Sequence, residues 1–171
     1  MGKVPCAGRS KTRLGAVIGA EAAAALSGAF LLDTTTNVAL AASSAPISAC
    51  VAYAPAGEEM ELKPYLAAGS GLLLADGEGV MPDGVEGFGR SLFGAVRDLL
   101  DAGYVSACVL NSDGPTLPTA FLIRAAALPA EPGDRVVLGP AEDGGYYILG
   151  VKQPHAALFR DIAWSAADAG P

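Results

Sequence analysis

The stretch 105–110 (Val-Ser-Ala-Cys-Val-Leu) constrains this chain more than any other. It is a short apolar run that stops at Asn111-Ser112-Asp113-Gly114-Pro115, a cluster of turn-forming residues. A strand without polar alternation is covered on both faces, as in a parallel sheet flanked by helices. The rest of the chain supplies such helices. Residues 19–42 are Ala-rich, with Leu26, Phe30 and Val38 near helical spacing. Residues 89–102 carry Leu92, Val96, Leu99 and Leu100 on one face and Gly103 as a stop. Residues 118–128 form a third helix with Pro118 in its first turn. Strands are expected at 47–53, 72–74, 135–139 and 145–151. Residues 1–14 read as a loop, 58–87 as a short helix near Glu59 with a Gly- and Asp-rich loop, and 154–161 as a short helix. Alternating strands and helices imply an α/β domain spanning 1–171, with a parallel or mixed sheet between helices. Ligands in such sheets bind beyond the carboxyl ends of the strands.

Charge narrows the partners. The net charge is −7, which disfavours nucleic acid, because phosphate backbones need clustered Lys and Arg. The exception is local: Lys3, Arg9, Lys11 and Arg13 crowd the first thirteen positions. Such a block is either an anion site or a solvated end. Cys6, Cys50 and Cys108 are odd in number and lack CxxC spacing, which argues against a disulfide framework or a zinc site. Cys50 and Cys108 lie in apolar runs and read as small buried residues. A reducing, cytoplasmic setting fits. The basic start followed by the apolar run 14–32 has the outline of a secretory signal. Glu21 within that run and Asp33 at its end oppose both export and a membrane span. An exported protein is the weaker alternative.

Three loops can carry chemistry. In Lys3-Val4-Pro5-Cys6-Ala7-Gly8-Arg9-Ser10-Lys11-Thr12-Arg13-Leu14-Gly15, Gly8 lets backbone approach a ligand. Lys11 and Arg13 can neutralise phosphates, Arg13 with a bidentate fork. The spacing is not that of a Walker loop. In the second loop, residues 111–118, the Asp113 carboxylate at a strand end can ligate magnesium or make an Asx-turn. The third loop, 139–150, sets Glu142 and Asp143 before Gly144 and Gly145, with Tyr146 and Tyr147 following. A plain Asp-Gly hairpin is the alternative reading there. His155, the only histidine, has no Ser or Cys motif to serve and reads as structural. No GxSxG elbow occurs, which opposes a serine hydrolase.

The order KxPxxGxxKTRL, SDxPTLP, GPxxDGGYYxLG and Trp164-Ser165 resembles a bacterial family of GT-A-type glycosyltransferase-like proteins. That family is similar to phospholactate guanylyltransferase and molybdenum cofactor guanylyltransferase. Residues 7–15 also resemble the AGGRSxRMG loop of nucleotidyltransferases. The resemblance covers nearly the whole chain. It implies a three-layer α/β sandwich of GT-A (nucleotide-diphospho-sugar transferase) type with a mostly parallel sheet. It implies that Gly8, Arg9, Ser10, Lys11 and Arg13 hold the nucleotide phosphates and that Asp113 binds a divalent metal, Mg²⁺ or Mn²⁺. Lys11, Arg13 and Asp113 would be the catalytic set, and Glu142, Asp143, Gly144 and Gly145 would line the acceptor position.

The implied activity is transfer of a nucleotidyl or glycosyl group from a nucleotide or nucleotide-sugar to a small acceptor. No nucleic acid or membrane is implied as a partner, and a homo-oligomer is compatible. The second reading is a defective, truncated remnant that binds nucleotide. Three departures from the family pattern bear on it. Relatives open with an apolar strand, lying between the strands that correspond to 47–53 and 105–110, whereas this chain begins at the KxP motif. They continue past Trp-Ser. They also carry a GDLGxR-like segment where Glu86-Gly87-Phe88-Gly89-Arg90 stands here. A chain without that first strand is expected to be marginally stable or to associate through strand edges.

Overall fold

The computed structural model describes residues 1–142, 145–162 and 164. Asp143, Gly144 and Ser165 of the motifs lie outside the described residues. Helix α1 (Thr12–Ile18) comes first, where a loop was expected as far as residue 14. Gly19, at φ 91°, turns the chain into α2 (Ala20–Ala42), with Glu21 in its first turn, where the helix dipole favours an acid. Then follow β1 (Cys50–Tyr53), α3 (Glu59–Leu62), β2 (Gly71–Leu74) and α4 (Phe88–Asp101). The order closes with β3 (Ala107–Leu110), α5 (Thr119–Ala127), β4 (Val136–Pro140) and β5 (Tyr146–Val151). The segment 154–161 makes only a 3₁₀ turn, Ala156–Leu158.

The sheet corrects one expectation. β1 and β2 are parallel, but β3, β5 and β4 pair antiparallel in that order. The reason is connection length. A parallel crossover needs a dozen or more residues, and β4 and β5 are joined by 141–145 alone. The continuous apolar character of 105–110 therefore reports cover on both faces and not parallel pairing. Ala107 and Val109 of β3, with Leu149 and Val151 of β5, pack against Leu92, Phe93 and Val96 of α4 and against Phe159. The alternate residues Cys108, Leu110 and Ile148 pack toward Ala41 of α2 and Leu122 and Ala125 of α5. Helices thus cover both faces of this sheet.

A second core joins Leu31 of α2 to Val51, Tyr53 and Leu62. The face of α2 differs in part from the expected one: Ala23, Gly28, Leu31, Thr35 and Ala41 are buried and Val38 packs against the core, while Leu26 is exposed. Gly28 is required there, since a Cβ would lie 2.7 Å from the Tyr65 ring. Alanine-rich sequence gives little contrast between faces, so helical spacing alone misplaces the buried stripe. Cys50 is also exposed, unlike the buried thiol expected, because β1 has a strand neighbour on one edge only. Among the described residues, no strand lies between β1 and β3. Residues 1 and 2 reach into that gap. Gly2 N donates to Ala52 O at 2.8 Å, and the Met1 ammonium donates to Leu110 O at 3.4 Å. No helix of the described residues is long and apolar enough to cross a membrane.

Candidate functional site

The three motif loops meet at the carboxyl end of β3. The first loop is closed on itself: Ser10 N donates to Cys6 O at 2.9 Å, and Cys6 N donates to Ser10 Oγ at 2.9 Å. The Ser10 hydroxyl therefore shapes the loop. Gly8 takes a positive φ of 77° with open space around it. Lys11 also sits in the left-handed region, at φ 46° and ψ 50°. For a non-glycine residue this conformation is costly and marks a held position. Its ammonium contacts the Asp113 carboxylate at 2.5 Å and lies 4.8 Å from the centre of the Phe30 ring.

This contact joins residues 102 positions apart and brings together two of the three residues of the expected catalytic set. The Lys11 side chain is 15% exposed and that of Asp113 is 73% exposed, so the cation is anchored and the carboxylate faces solvent. Arg13 lies on the first turn of α1 and is exposed. Arg9, Lys11, Thr12, Arg13, Leu14 and Phe30 line one open depression of about 400 Å³. Arg9 also reaches Glu58 at 3.9 Å. α1 has only seven residues, so attraction for an anion falls to these three cationic side chains.

Asn111 joins the second loop to the third. Its Nδ2 donates to Tyr146 O at 2.6 Å, and its backbone N donates to Tyr147 O at 3.4 Å. In the third loop Ala141 N donates to Gly145 O at 2.9 Å, and Glu142 is exposed. Trp164 packs edge-on against Phe88 and Tyr146. Arg90, in the segment that departs from the GDLGxR-like pattern, donates to Gly77 O at 2.8 Å and to Gly79 O at 3.0 Å. That arginine holds a loop in place. His155 pairs with Asp134 at 2.7 Å, beyond the ends of β4 and β5 that lie opposite their connecting loop.

Two residues at the site escaped sequence reasoning. Phe30 supplies the ring under Lys11. Asn37 donates to Leu117 O at 2.6 Å and accepts from Thr119 Oγ1 at 2.5 Å, which fixes the second loop to α2. Asn37 is the one amide in a run of small and apolar residues, and that contrast is the signal that could have found it.

Residues 37–166 match a family model described as "Uncharacterized protein conserved in bacteria (DUF2064)". The chain belongs to this family. Among solved structures, it is similar to one described as "putative nucleotide-diphospho-sugar transferase" from Desulfovibrio desulfuricans G20. The two share 26% identity with a TM-score of 0.78, over 99% of this chain and 69% of the other. No curated protein matches the chain. The expected GT-A-like character thus has support from both family and structure.

Proposed function

We propose that this member of the DUF2064 family is a transferase that binds a nucleotide or nucleotide-sugar across its first two loops and passes a nucleotidyl or glycosyl group to a small acceptor. The Lys11–Asp113 contact carries the reading, because it sets an anchored cation beside an exposed carboxylate at a strand end. The similarity to a nucleotide-diphospho-sugar transferase favours a nucleotide-sugar donor. Guanylyl transfer from an NTP is the finer alternative within the same chemistry.

Lys11, Arg13 and Arg9 would screen the phosphates, Arg13 with its planar fork. Asp113 suits magnesium, which takes one or two carboxylates and fills its remaining positions with water and substrate phosphates. Bound there, the metal would neutralise charge developing on the diphosphate. Lys11 would leave Asp113 for a phosphate as the donor enters, while the Phe30 ring keeps its ammonium at the site. Glu142 and Gly145 stand in the loop proposed to face the acceptor. The protein's part is then mainly positioning and charge screening.

A thermal-shift screen of nucleotides and nucleotide-sugars, with and without magnesium, tests the reading. The expected result is stabilisation by one donor class that grows with magnesium. Pyrophosphate release would assign nucleotidyl transfer. Absence of any shift across the panel would refute nucleotide binding. Stabilisation without product formation from any acceptor would instead support binding without turnover.

A further inference from the structure

The contact between Lys11 and Asp113 is held from both sides, which sets it apart from an ordinary surface ion pair. On the Lys11 side, two bonds between Cys6 and Ser10 close the first loop, and Gly15 N donates to Lys11 O at 2.8 Å as α1 begins. Lys11 thus stands between a closed turn and a helix, in a left-handed backbone that a non-glycine residue rarely adopts. Its side chain is largely buried, and its ammonium lies over the Phe30 ring of α2. On the Asp113 side, the bond from Asn111 Nδ2 to Tyr146 O and that from Asn37 Nδ2 to Leu117 O fix the second loop at both ends. These holds bring the ammonium to Asp113 Oδ1 at 2.5 Å.

An ammonium so placed opposes a divalent cation at the same carboxylate. It engages one oxygen of Asp113 and repels a doubly charged ion approaching the other. Magnesium dehydrates reluctantly and binds through one or two carboxylates together with substrate phosphates, so a carboxylate already engaged by an ammonium is a poor site for it. A phosphate changes the balance. Arg9, Thr12 and Arg13 line one depression with Lys11, so an anion bound there competes with Asp113 for the ammonium. Once the ammonium turns to the anion, the carboxylate is free beside phosphate oxygens, which is the donor set that magnesium takes.

We propose that Lys11 is a latch on the metal site: in the ligand-free chain it closes Asp113 to divalent cations, and the donor's phosphates open it by taking the ammonium. Loading is therefore ordered. The phosphates arrive before the metal or together with it, and the free metal alone does not load Asp113. The inference rests on the reading of Asp113 as a metal ligand and of the first loop as a phosphate site. The Phe30 ring and the fixed backbone keep the ammonium within reach of both partners, so it exchanges between them without leaving the site.

The test follows the amide signals of Ser112 and Gly114, which flank Asp113, by NMR of the full 171-residue chain. The titrant is manganese, a paramagnetic divalent ion that broadens signals beside the place where it binds. The parent alone, the parent with inorganic pyrophosphate, and Lys11→Met are compared. Lys11→Asn, whose new side chain suits a left-handed backbone, runs beside Lys11→Met so that a folding failure of one leaves the other to read. Both variants should broaden at manganese concentrations about tenfold below those the parent needs, because a repelling charge is gone. Pyrophosphate should sensitise the parent similarly, and adding Asp113→Asn to Lys11→Met should erase the gain. Equal broadening in the parent and both variants without pyrophosphate would overturn the latch and leave the metal at Asp113. Sensitivity gained from pyrophosphate but from neither Lys11 variant would overturn it too, since the phosphate would then carry the metal in without any release. Gain in the variants without any from pyrophosphate would overturn opening by phosphate, and gain that survives Asp113→Asn would place the metal elsewhere. No broadening of Ser112 and Gly114 in any sample would overturn the metal assignment itself, and the latch with it.

Discussion

Replacing Asp113 by Asn separates the proposed site from a purely structural ion pair, because the two readings predict different signs. The substitution keeps shape and hydrogen bonding but removes the charge. Asp113 is 73% exposed, so its contact with Lys11 falls in the range of exposed pairs, about 0.2–1 kcal/mol. Lys11 keeps its place over the Phe30 ring, a contact of about 0.5–1 kcal/mol. The fold should therefore lose less than about 1 kcal/mol, or roughly 2–4 °C in Tm for a chain of this size. Nucleotide binding behaves differently. With magnesium present, losing a charge-assisted contact of about 1.5–3 kcal/mol weakens affinity about ten- to a hundredfold. Without magnesium, Asp113→Asn should bind nucleotide as well as the parent or better, since Lys11 is released and a negative charge near the phosphates is gone. Titration calorimetry with and without magnesium reads both arms. Unchanged magnesium-dependent affinity would refute the metal assignment. A weakening of equal size in both arms, alongside a Tm drop above about 10 °C, would show that Asp113 only holds the loop.

Lys11→Ala and Arg13→Ala should each weaken nucleotide binding about tenfold or more in the same calorimetry, from charge-assisted contacts of about 1.5–3 kcal/mol. Arg13→Ala should leave Tm unchanged, because Arg13 is exposed on α1. Asn37→Ala removes two bonds that hold the second loop to α2, at about 1 kcal/mol each, and should lower Tm by a few degrees in a thermal melt. Tyr53→Phe tests a pair that shifts both partners: the Tyr53 hydroxyl donates to Glu59, which lowers the Glu59 pKa and raises that of Tyr53 to about 12. The contribution of Glu59 is present above its unfolded value, roughly 4.3, and is lost as pH falls through the lower folded value. That of Tyr53 is present below roughly 10 and is lost as pH rises toward 12. NMR titration of Tyr53→Phe should find the Glu59 carboxyl moved up toward its ordinary range.

The sequence discloses its elements better than their meetings. The strand at 107–110 and the helices 20–42, 88–101 and 119–127 lie close to where apolar runs and stop residues put them. Those signals are local. Strand pairing is not, and the antiparallel order β3-β5-β4 followed from the short 141–145 connection, a cue outweighed by the apolar character of 105–110. The first loop was legible as basic, but not the left-handed backbone of Lys11 or the start of a helix at Thr12. The motif order grouped Lys11 with Asp113 by resemblance. No local pattern states that their side chains touch across 102 residues. Phe30 was read as part of an apolar stripe, while its ring lies under a cation. Periodicity says which residues share a face, and not whether that face meets a core or a charge.

The site bridges two halves that share no strand pair among the described residues. Lys11 and Arg13 belong to the amino-terminal half, with β1 and β2, and Asp113 follows β3 in the other. Among the ties that cross between them are the packing of α2 on α5 and on the β3-β5 face, the Asn37 bonds, the Met1–Leu110 bond and the Lys11–Asp113 contact. A nucleotide held by the cations of one half and the carboxylate of the other, through magnesium, would add a further tie between them. At a hundred times its Kd such a ligand stabilises by about 2.7 kcal/mol, or roughly 5–11 °C here. Hydrogen exchange should then slow in β1 and β3 together, with magnesium required for the β3 share. Protection confined to α1 and the first loop, with β3 unchanged, would mean that the ligand sits on the basic loop alone and that Asp113 takes no part.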